Sequence, residues 1–171
     1  MTTACQPRPQ VTAFVAFGAN LGDPAAAFAH ALDHVGALPD TRVVRSSALY
    51  RTAPIGVTDQ PDYTNAVIEI ETRLEAHALL TALLDIELRG GRTRVTHYAP
   101  RVVDLDLLLY GDSIVSEPGL ELPHPRMHRR AFVLVPLAEI APDASIPGRG
   151  RVTALLPRVA DQAVYRLPPR A

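Results

Sequence analysis

Two aspartates near the middle of the chain are the residues best suited to chemistry. Asp104 and Asp106 lie in the run Val-Val-Asp-Leu-Asp-Leu-Leu-Leu-Tyr, residues 102–110. Side chains alternate faces along a strand, so both carboxylates would share one face, with Leu105 and Leu107 on the other. Adjacent carboxylates repel unless a cation lies between them, and hard oxygen ligands suit Mg²⁺, which keeps other positions for water and phosphate. The pair therefore predicts a magnesium site.

Arginines surround this pair. They are Arg92, Arg94, Arg101, Arg126, Arg129 and Arg130. Many loop arginines are only solvated, but the guanidinium fork also binds phosphate, and a triphosphate carries more charge than two magnesium ions cancel. All 17 basic residues are arginine, so a phosphate-loop lysine, a Schiff-base lysine and a lysine base are excluded. The hypothesis is a magnesium–nucleotide site.

Other polar residues have less specific patterns. Taken alone, the aspartate pair also fits a strand with one wet face. His30 and His34 are one helical turn apart but lack the glutamate of an H-E-x-x-H zinc motif. Glu87 fits either a surface acid or a group that orients a nucleotide. His124, between two prolines, could contact phosphate or cap a turn.

A second group of residues suits a flat heterocycle. The loop over residues 51–63 is rich in proline, glycine and aspartate and is longer than a connection requires, as functional loops often are. Asn65 follows it, and an amide both donates and accepts hydrogen bonds. Tyr63 and Tyr98 are candidates for stacking, whereas core packing is the default for Phe132.

Composition limits the class of protein. The chain has 171 residues, 47% of them hydrophobic, and a net charge of −1, which favours one globular domain without a basic surface for nucleic acid or anionic membrane. The single Cys5 cannot form an internal disulfide, and no apolar run approaches the roughly 20 residues of a membrane helix. We expect a soluble, cytoplasmic protein.

The hydrophobic pattern predicts the elements that position these residues. Strands are expected over residues 11–17, 41–50, 64–72 and 102–110, helices over 24–36, 75–89 and 153–159, a hairpin or edge strand within 113–122, and helical turns over 127–131 and 136–140. Asp23 and Pro24 suit the N-cap and first position of a helix. The order βα, β, βα, β predicts an α+β fold with a ferredoxin-like core, a mainly antiparallel sheet flanked by helices.

The same pattern predicts the domain boundaries. Residues 1–10 would be a disordered tail, residues 11–165 a single domain, and residues 166–171 a loose C-terminal tail.

Seven segments together resemble the 6-hydroxymethyl-7,8-dihydropterin pyrophosphokinase family of folate biosynthesis. They are residues 18–23, 47–52, 59–65, 91–94, 100–106, 122–127 and 130–142. They occur in the family's order, and P-R-x-x-D-x-D followed by L-x-P-H-P-x-M is highly specific.

The resemblance implies the fold, the reaction and the site. Diphosphate would pass from ATP to the pterin hydroxymethyl group with release of AMP, and Asp104 and Asp106 would hold two Mg²⁺ ions. By this match the nucleotide ligands are Glu87, Arg92, Arg94, Arg101, Leu107 (through its backbone), His124 and Arg130, with Arg92, Arg94 and the two aspartates counted as catalytic. The pterin set is Thr52, Ala53, Ile55, Tyr63, Asn65, Tyr98 and Phe132.

The chain departs from the family pattern in four ways: its loop over residues 95–98 is one residue shorter than in some members, and three positions are substituted. Tyr98 stands where tryptophan is usual, Leu84 where glutamine is common, and Ala19 where serine is usual. None removes a residue that the chemistry requires. We expect a monomeric enzyme acting on two small molecules. Two alternatives are a nucleotide-sensing or metal-sensing module without turnover, which would not need residues 63–65, and a metal-dependent nuclease, which the near-neutral charge disfavours.

Overall fold

A computed structural model describes residues 6–54, 59–90 and 103–170. The strands in these ranges are β1 Val11–Ala19, β2 Thr41–Ser46, β3 Tyr50–Thr52, β4 Tyr63–Thr72, β5 Asp104–Tyr110, β6 Val115–Glu117, β7 Leu120–Leu122, β8 Ser145–Ile146, β9 Gly150–Arg151 and β10 Tyr165–Arg166. The helices are α1 Pro24–Gly36, α2 Ala76–Arg89, α3 Ala131–Ile140 and α4 Val152–Leu155. Short 3-10 turns cover Met127–Arg129 and Leu156–Val159.

One antiparallel sheet organises the described part of the chain. Its order is β10-β3-β4-β1-β5. β3 pairs with residues 63–65 of β4, and β2 pairs with residues 68–72 of the same strand. β1 is central, paired with β4 on one side and β5 on the other. The hairpin expected within residues 113–122 is confirmed as β6–β7. The α+β class and the mainly antiparallel sheet are confirmed.

The two faces of the sheet carry separate cores. On one face, Val15 and Phe17 of β1 pack with buried residues of α1 and α2. On the other face, Phe14, Val67 and Leu108 pack with α3, α4 and their connections. The faces are covered by different helices because neighbouring side chains of a strand point opposite ways.

Both long helices follow the predicted pattern. α1 has the predicted bounds, and the Asp23 carboxylate accepts hydrogen bonds from the N–H groups of Ala25 at 3.1 Å and Ala26 at 3.2 Å. α2 begins one residue later than expected, with Glu75 as its N-cap. Within the described ranges, no helix has the length and apolar character needed to cross a membrane.

The single strand expected over residues 41–50 was wrong, because the segment forms β2 and β3. Ser47 interrupts it: its hydroxyl accepts a hydrogen bond at 2.9 Å from the N–H of Val67, while its own N–H donates to the Val67 carbonyl at 2.9 Å. The side chain takes the place of a backbone acceptor, so the chain leaves the ladder and rejoins it at Tyr50.

The two helical turns expected over residues 127–131 and 136–140 were also wrong in extent. α3 runs unbroken through Pro136, preceded by the 3-10 turn. Val133, Leu134 and Leu137 lie at helical spacing and are buried. Their burial outweighs the one backbone hydrogen bond that the proline removes.

The C-terminal segment returns to the sheet. β10 pairs with β3, and the N–H of Leu167 donates to the Leu49 carbonyl at 2.8 Å. Arg170 forms an ion pair with Asp23 at 2.8 Å. The terminal helix expected over residues 153–159 is replaced by α4 followed by a 3-10 turn. The domain boundaries stay a prediction.

Candidate active site

The site lies on the α3 face of the sheet, where the centre of the sheet is left partly open. Gly18 of β1 is paired with Asn65 of β4 on one side and Asp104 of β5 on the other. One step along, Ala16 is paired with Val67 and with Asp106. Two small residues therefore separate an amide from a pair of carboxylates, and they leave room above the sheet for a ligand.

A third carboxylate joins the two aspartates. Oxygen atoms of Glu87, Asp104 and Asp106 all lie within 4.8 Å of one another. Glu87, on α2, is only 1% exposed, and its Oε1 accepts a hydrogen bond at 2.7 Å from the N–H of Leu105. β5 ends the sheet order, so this N–H points away from the sheet and the glutamate satisfies it. We call Glu87, Asp104 and Asp106 the acidic cluster.

The acidic cluster fits a hard divalent cation. Three carboxylates this close repel strongly when ionised, and burial of Glu87 reduces the screening by water. Hard oxygen ligands from a few carboxylates, with other positions left to water and phosphate, are the donor set that Mg²⁺ prefers. The predicted pairing of Asp104 and Asp106 on one face is borne out geometrically, since both are half-buried and alternate with the buried Leu105.

Arg130 brings positive charge to the same place. It directly precedes α3, and its guanidinium lies over the ring of Phe132 at 5.4 Å from the centroid. Burial lowers the pKa of Arg130, and the charges of Asp106 and Asp104 act in the opposite direction. An arginine held close to the acidic cluster can bind an anion that the cluster's cation also binds.

His124 lies beside this arginine. Its N–H donates to the Leu108 carbonyl at 2.9 Å, and its Nδ1 accepts from the N–H of Arg126 at 3.2 Å. The ring therefore caps a turn and carries its proton on Nε2. Burial, followed by the charges of Arg130 and Arg126, lowers the pKa of His124 to about 4. The His124 ring is therefore uncharged at neutral pH and can donate a hydrogen bond from Nε2.

The opposite end of the cleft is built around Asn65. Its Nδ2 donates to Thr52 Oγ1 at 2.9 Å, and both residues are buried. Its Oδ1 faces Gly18, since a Cβ at that position would lie 3.5 Å from it. Phe132, half-buried at the start of α3, borders the same face.

Tyr63 is held by a network that the sequence did not predict. Gln60 Oε1 accepts from the Tyr63 hydroxyl at 3.5 Å and from the Asn20 amide at 3.3 Å, and Asn20 is 3% exposed. Asn20 belongs to the glycine-rich segment over residues 18–23, which the sequence alone assigns to a turn. A polar residue two positions after Gly18, the glycine that faces Asn65, is the signal that could have found it.

The remaining predicted residues are Leu107, Ala53 and five residues outside the described ranges. The side chain of Leu107 is 5% exposed and packs in the α1/α2 core, so only its backbone is available to a ligand. Ala53 is exposed immediately after β3. Five predicted residues lie outside the described ranges: Ile55, Arg92, Arg94, Tyr98 and Arg101. The role of each predicted site residue stays a prediction.

Comparison with known sequences gives consistent matches. A family model described as 7,8-dihydro-6-hydroxymethylpterin-pyrophosphokinase (HPPK) matches residues 14–142. The 2-amino-4-hydroxy-6-hydroxymethyldihydropteridine pyrophosphokinase of Haemophilus influenzae is 42% identical over 159 residues, 93% of this chain and 99% of that protein. The protein of the same name from Methylorubrum extorquens is 50% identical over 136 residues, 80% of this chain and 86% of its own length.

Solved structures with a similar fold are larger proteins. An HPPK-DHPS crystallised with substrates has a TM-score of 0.66 and 12% identity over 90% of this chain. A Plasmodium falciparum HPPK-DHPS triple mutant with STZ-DHP has a TM-score of 0.72 and 12% identity over 92% of this chain. In both cases this chain spans 44% of the larger one, and the likeness concerns the fold alone.

Proposed function

The chain belongs to the 7,8-dihydro-6-hydroxymethylpterin-pyrophosphokinase family, and from this premise we propose that it transfers diphosphate from ATP to 6-hydroxymethyl-7,8-dihydropterin. The products are the pterin diphosphate and AMP, and the reaction belongs to folate biosynthesis. The observation that carries the proposal is the placement of Asn65 and Asp104 on either side of Gly18. An amide that suits a heterocycle and carboxylates that suit a metal–phosphate thus face one cleft.

The acidic end holds the nucleotide in this proposal. Asp104 and Asp106 would hold Mg²⁺, and we propose two ions, the number that the resemblance to the family implies. Bound Mg²⁺ would neutralise phosphate charge and orient the β-phosphorus for displacement. Arg130 and His124 donate hydrogen bonds to phosphate oxygens, the histidine as a neutral donor because its pKa is about 4. Arg92, Arg94 and Arg101 complete the phosphate ligands, and Glu87 and the Leu107 backbone complete the nucleotide set.

The other end holds the pterin. Asn65, oriented by Thr52, offers both a donor and an acceptor to the ring edge. Ala53 and Ile55 supply backbone groups beside it. Tyr63, Tyr98 and Phe132 pack on the ring faces, where large flat side chains bury much apolar area.

The reaction needs positioning more than a strong base. The pterin hydroxyl oxygen attacks the β-phosphorus, a new O–P bond forms, and the bond from that phosphorus to the bridging oxygen of the α-phosphate breaks. AMP leaves with the bridging oxygen, and the hydroxyl proton passes to solvent. Holding the two reactants in line converts a bimolecular step into an intramolecular one, which is worth about 7–11 kcal/mol.

We propose further that the protein acts as a monomer in the cytoplasm. The only cysteine is Cys5, which cannot form an internal disulfide and suits a reducing compartment. A sensing module without turnover is the second candidate. It would need the acidic cluster but not the Asn65–Thr52 pair.

Binding measurements on two single variants test the division of the cleft. Asn65→Asp should weaken pterin binding about tenfold or more, because a carboxylate cannot donate to the ring edge. The same variant should leave MgATP affinity within about twofold. Asp106→Asn should weaken MgATP binding about tenfold or more and leave pterin affinity within about twofold. Equal loss of both ligands in each variant, measured by calorimetry on folded protein, would contradict a cleft with two halves.

A further inference from the structure

Gln162 joins the C-terminal segment to the start of α3. Its Oε1 accepts a hydrogen bond from the N–H of Ala131 at 3.0 Å, and its Nε2 donates to the carbonyl of Arg129 at 2.8 Å. These two backbone groups stand immediately before and after Arg130. Gln162 lies beyond residues 14–142, the part of the chain that the family model matches.

Both hydrogen bonds satisfy backbone groups at the start of α3. The first N–H groups of a helix have no acceptor within the helix, so the N–H of Ala131 needs an outside partner. The Arg129 carbonyl needs a donor. Only one orientation of the Gln162 amide satisfies both groups. The Gln162 backbone is itself fixed, because its N–H donates to the Val159 carbonyl at 3.0 Å.

The consequence is that the Arg130 backbone is held on every side. Its carbonyl accepts from the N–H groups of Val133 at 3.1 Å and Leu134 at 2.9 Å. Its side chain starts from this fixed backbone, passes over the ring of Phe132 and reaches the neighbourhood of Asp104 and Asp106. A guanidinium on a fixed backbone is oriented before the phosphate arrives.

We infer that Gln162 is a positioning residue, which holds the Arg130 guanidinium ready for the transferred phosphates. The inference rests on the proposed function. Gln162 contacts neither substrate and acts through Arg130. The C-terminal segment thus contributes to the site through the backbone on either side of Arg130.

A double-mutant cycle separates positioning from general stability. Gln162→Ala should lower kcat/KM for MgATP about tenfold, because a displacement of about 1 Å at a phosphate ligand costs up to about a hundredfold. In an Arg130→Ala background the same change should cost less than about twofold, since the residue through which it acts is gone. Equal loss in both backgrounds would overturn the inference.

Two further proteins complete the test. Gln162→Glu keeps the acceptor for Ala131 but loses the donor to Arg129, so its loss should fall between those of the native chain and Gln162→Ala. Gln10→Ala is the matched control: it also removes a glutamine hydrogen bond, from Nε2 to Glu71 at 2.5 Å, on the far end of β1. It should keep native kinetics. A loss in Gln10→Ala as large as that in Gln162→Ala would overturn the inference.

A readout independent of turnover distinguishes this inference from the proposed function. The Ala131 amide should be protected from hydrogen exchange in the native chain and lose at least about tenfold protection in Gln162→Ala. If the native chain forms no AMP, the proposed function fails whatever the exchange result. If it forms AMP and Gln162→Ala matches the native chain in kinetics or in Ala131 exchange, the positioning role is wrong.

Discussion

Asn65 and Asp104 stand opposite each other across Gly18, each one strand away on the α3 face of the sheet. The glycine keeps the space between them clear, because a Cβ there would already contact Asn65 Oδ1 at 3.5 Å. The same backbone position therefore determines the spacing of the two halves of the site.

Filling this space should block the pterin half without unfolding the protein. Gly18→Val places two methyl groups beside Asn65, and we expect KM for the pterin to rise at least about tenfold. Gly18→Ala, whose Cβ makes only an ordinary contact, should change KM less than about threefold. Steady-state kinetics and thermal melts on both variants provide the check. A native KM in Gly18→Val would place the pterin elsewhere.

Neutralising either aspartate should abolish most turnover. Asp104→Asn and Asp106→Asn each remove a proposed metal ligand, and loss of one electrostatic group at a reacting phosphate costs about a hundredfold or more in kcat. Asp112→Asn, in the exposed turn after β5, is the control and should retain native kcat. Circular dichroism confirms folding. A native kcat in Asp104→Asn or Asp106→Asn would show that the metal does not bind at this strand.

Glu87 should couple the acidic cluster to Mg²⁺. Glu87→Gln keeps an acceptor for the Leu105 N–H but removes one of three charges that lie within 4.8 Å. Millimolar MgCl₂ should raise the Tm of the native chain, because an ion that binds only the folded state stabilises it. The rise should be smaller in Glu87→Gln.

The exposed Glu121 offers a matched control for that measurement. Glu121→Gln should show the native response to MgCl₂. Identical Mg²⁺-dependent shifts in the native chain and Glu87→Gln would show that Glu87 takes no part in ion binding.

Tyr50 should make stability sensitive to alkaline pH. Its hydroxyl donates to Glu139 at 2.5 Å, and burial together with this hydrogen bond raises the pKa of Tyr50 to about 12 from 10.0. A raised pKa contributes stability below pH 10 that is lost as the pH rises towards 12, because the unfolded chain releases the proton first.

Replacement of this tyrosine checks the sign. Tyr50→Phe should lose about 1–2 kcal/mol of unfolding free energy at pH 7 and should decline less between pH 10 and 12. Denaturant titrations at several pH values measure both. Tyr165→Phe, at an exposed ring, is the control and should follow the native pH profile. If the unfolding free energy of Tyr50→Phe falls between pH 10 and 12 as much as that of the native chain, groups other than Tyr50 cause the loss.

Local patterns were enough to predict much of the fold. The start of α1 follows from Asp23 and Pro24, because a capping signal acts within a few residues. The break between β2 and β3 was missed because Ser47 is satisfied by Val67, 20 residues away. The continuity of α3 was missed because Pro136 suggests a break, whereas burial against the sheet decides the outcome.

The candidate site also contains some residues that local sequence patterns predict and others that depend on long-range contacts. Asp104 and Asp106 are found by their spacing on one strand, and the family motifs indicate the rest of the set. That Glu87 completes the acidic cluster depends on the packing of α2 against the edge of β5, which no local pattern encodes. The contact between Gln162 and the residues flanking Arg130 spans about thirty positions. Long-range contacts of this kind become visible only once the sheet and helices are assembled.

The nucleotide product tests the central claim most directly. The purified chain should be incubated with MgATP and 6-hydroxymethyl-7,8-dihydropterin, and the nucleotides separated by chromatography. We predict one AMP for each pterin diphosphate formed, and none when the pterin is omitted. Release of ADP, or no pterin-dependent nucleotide turnover at all, would contradict the assignment.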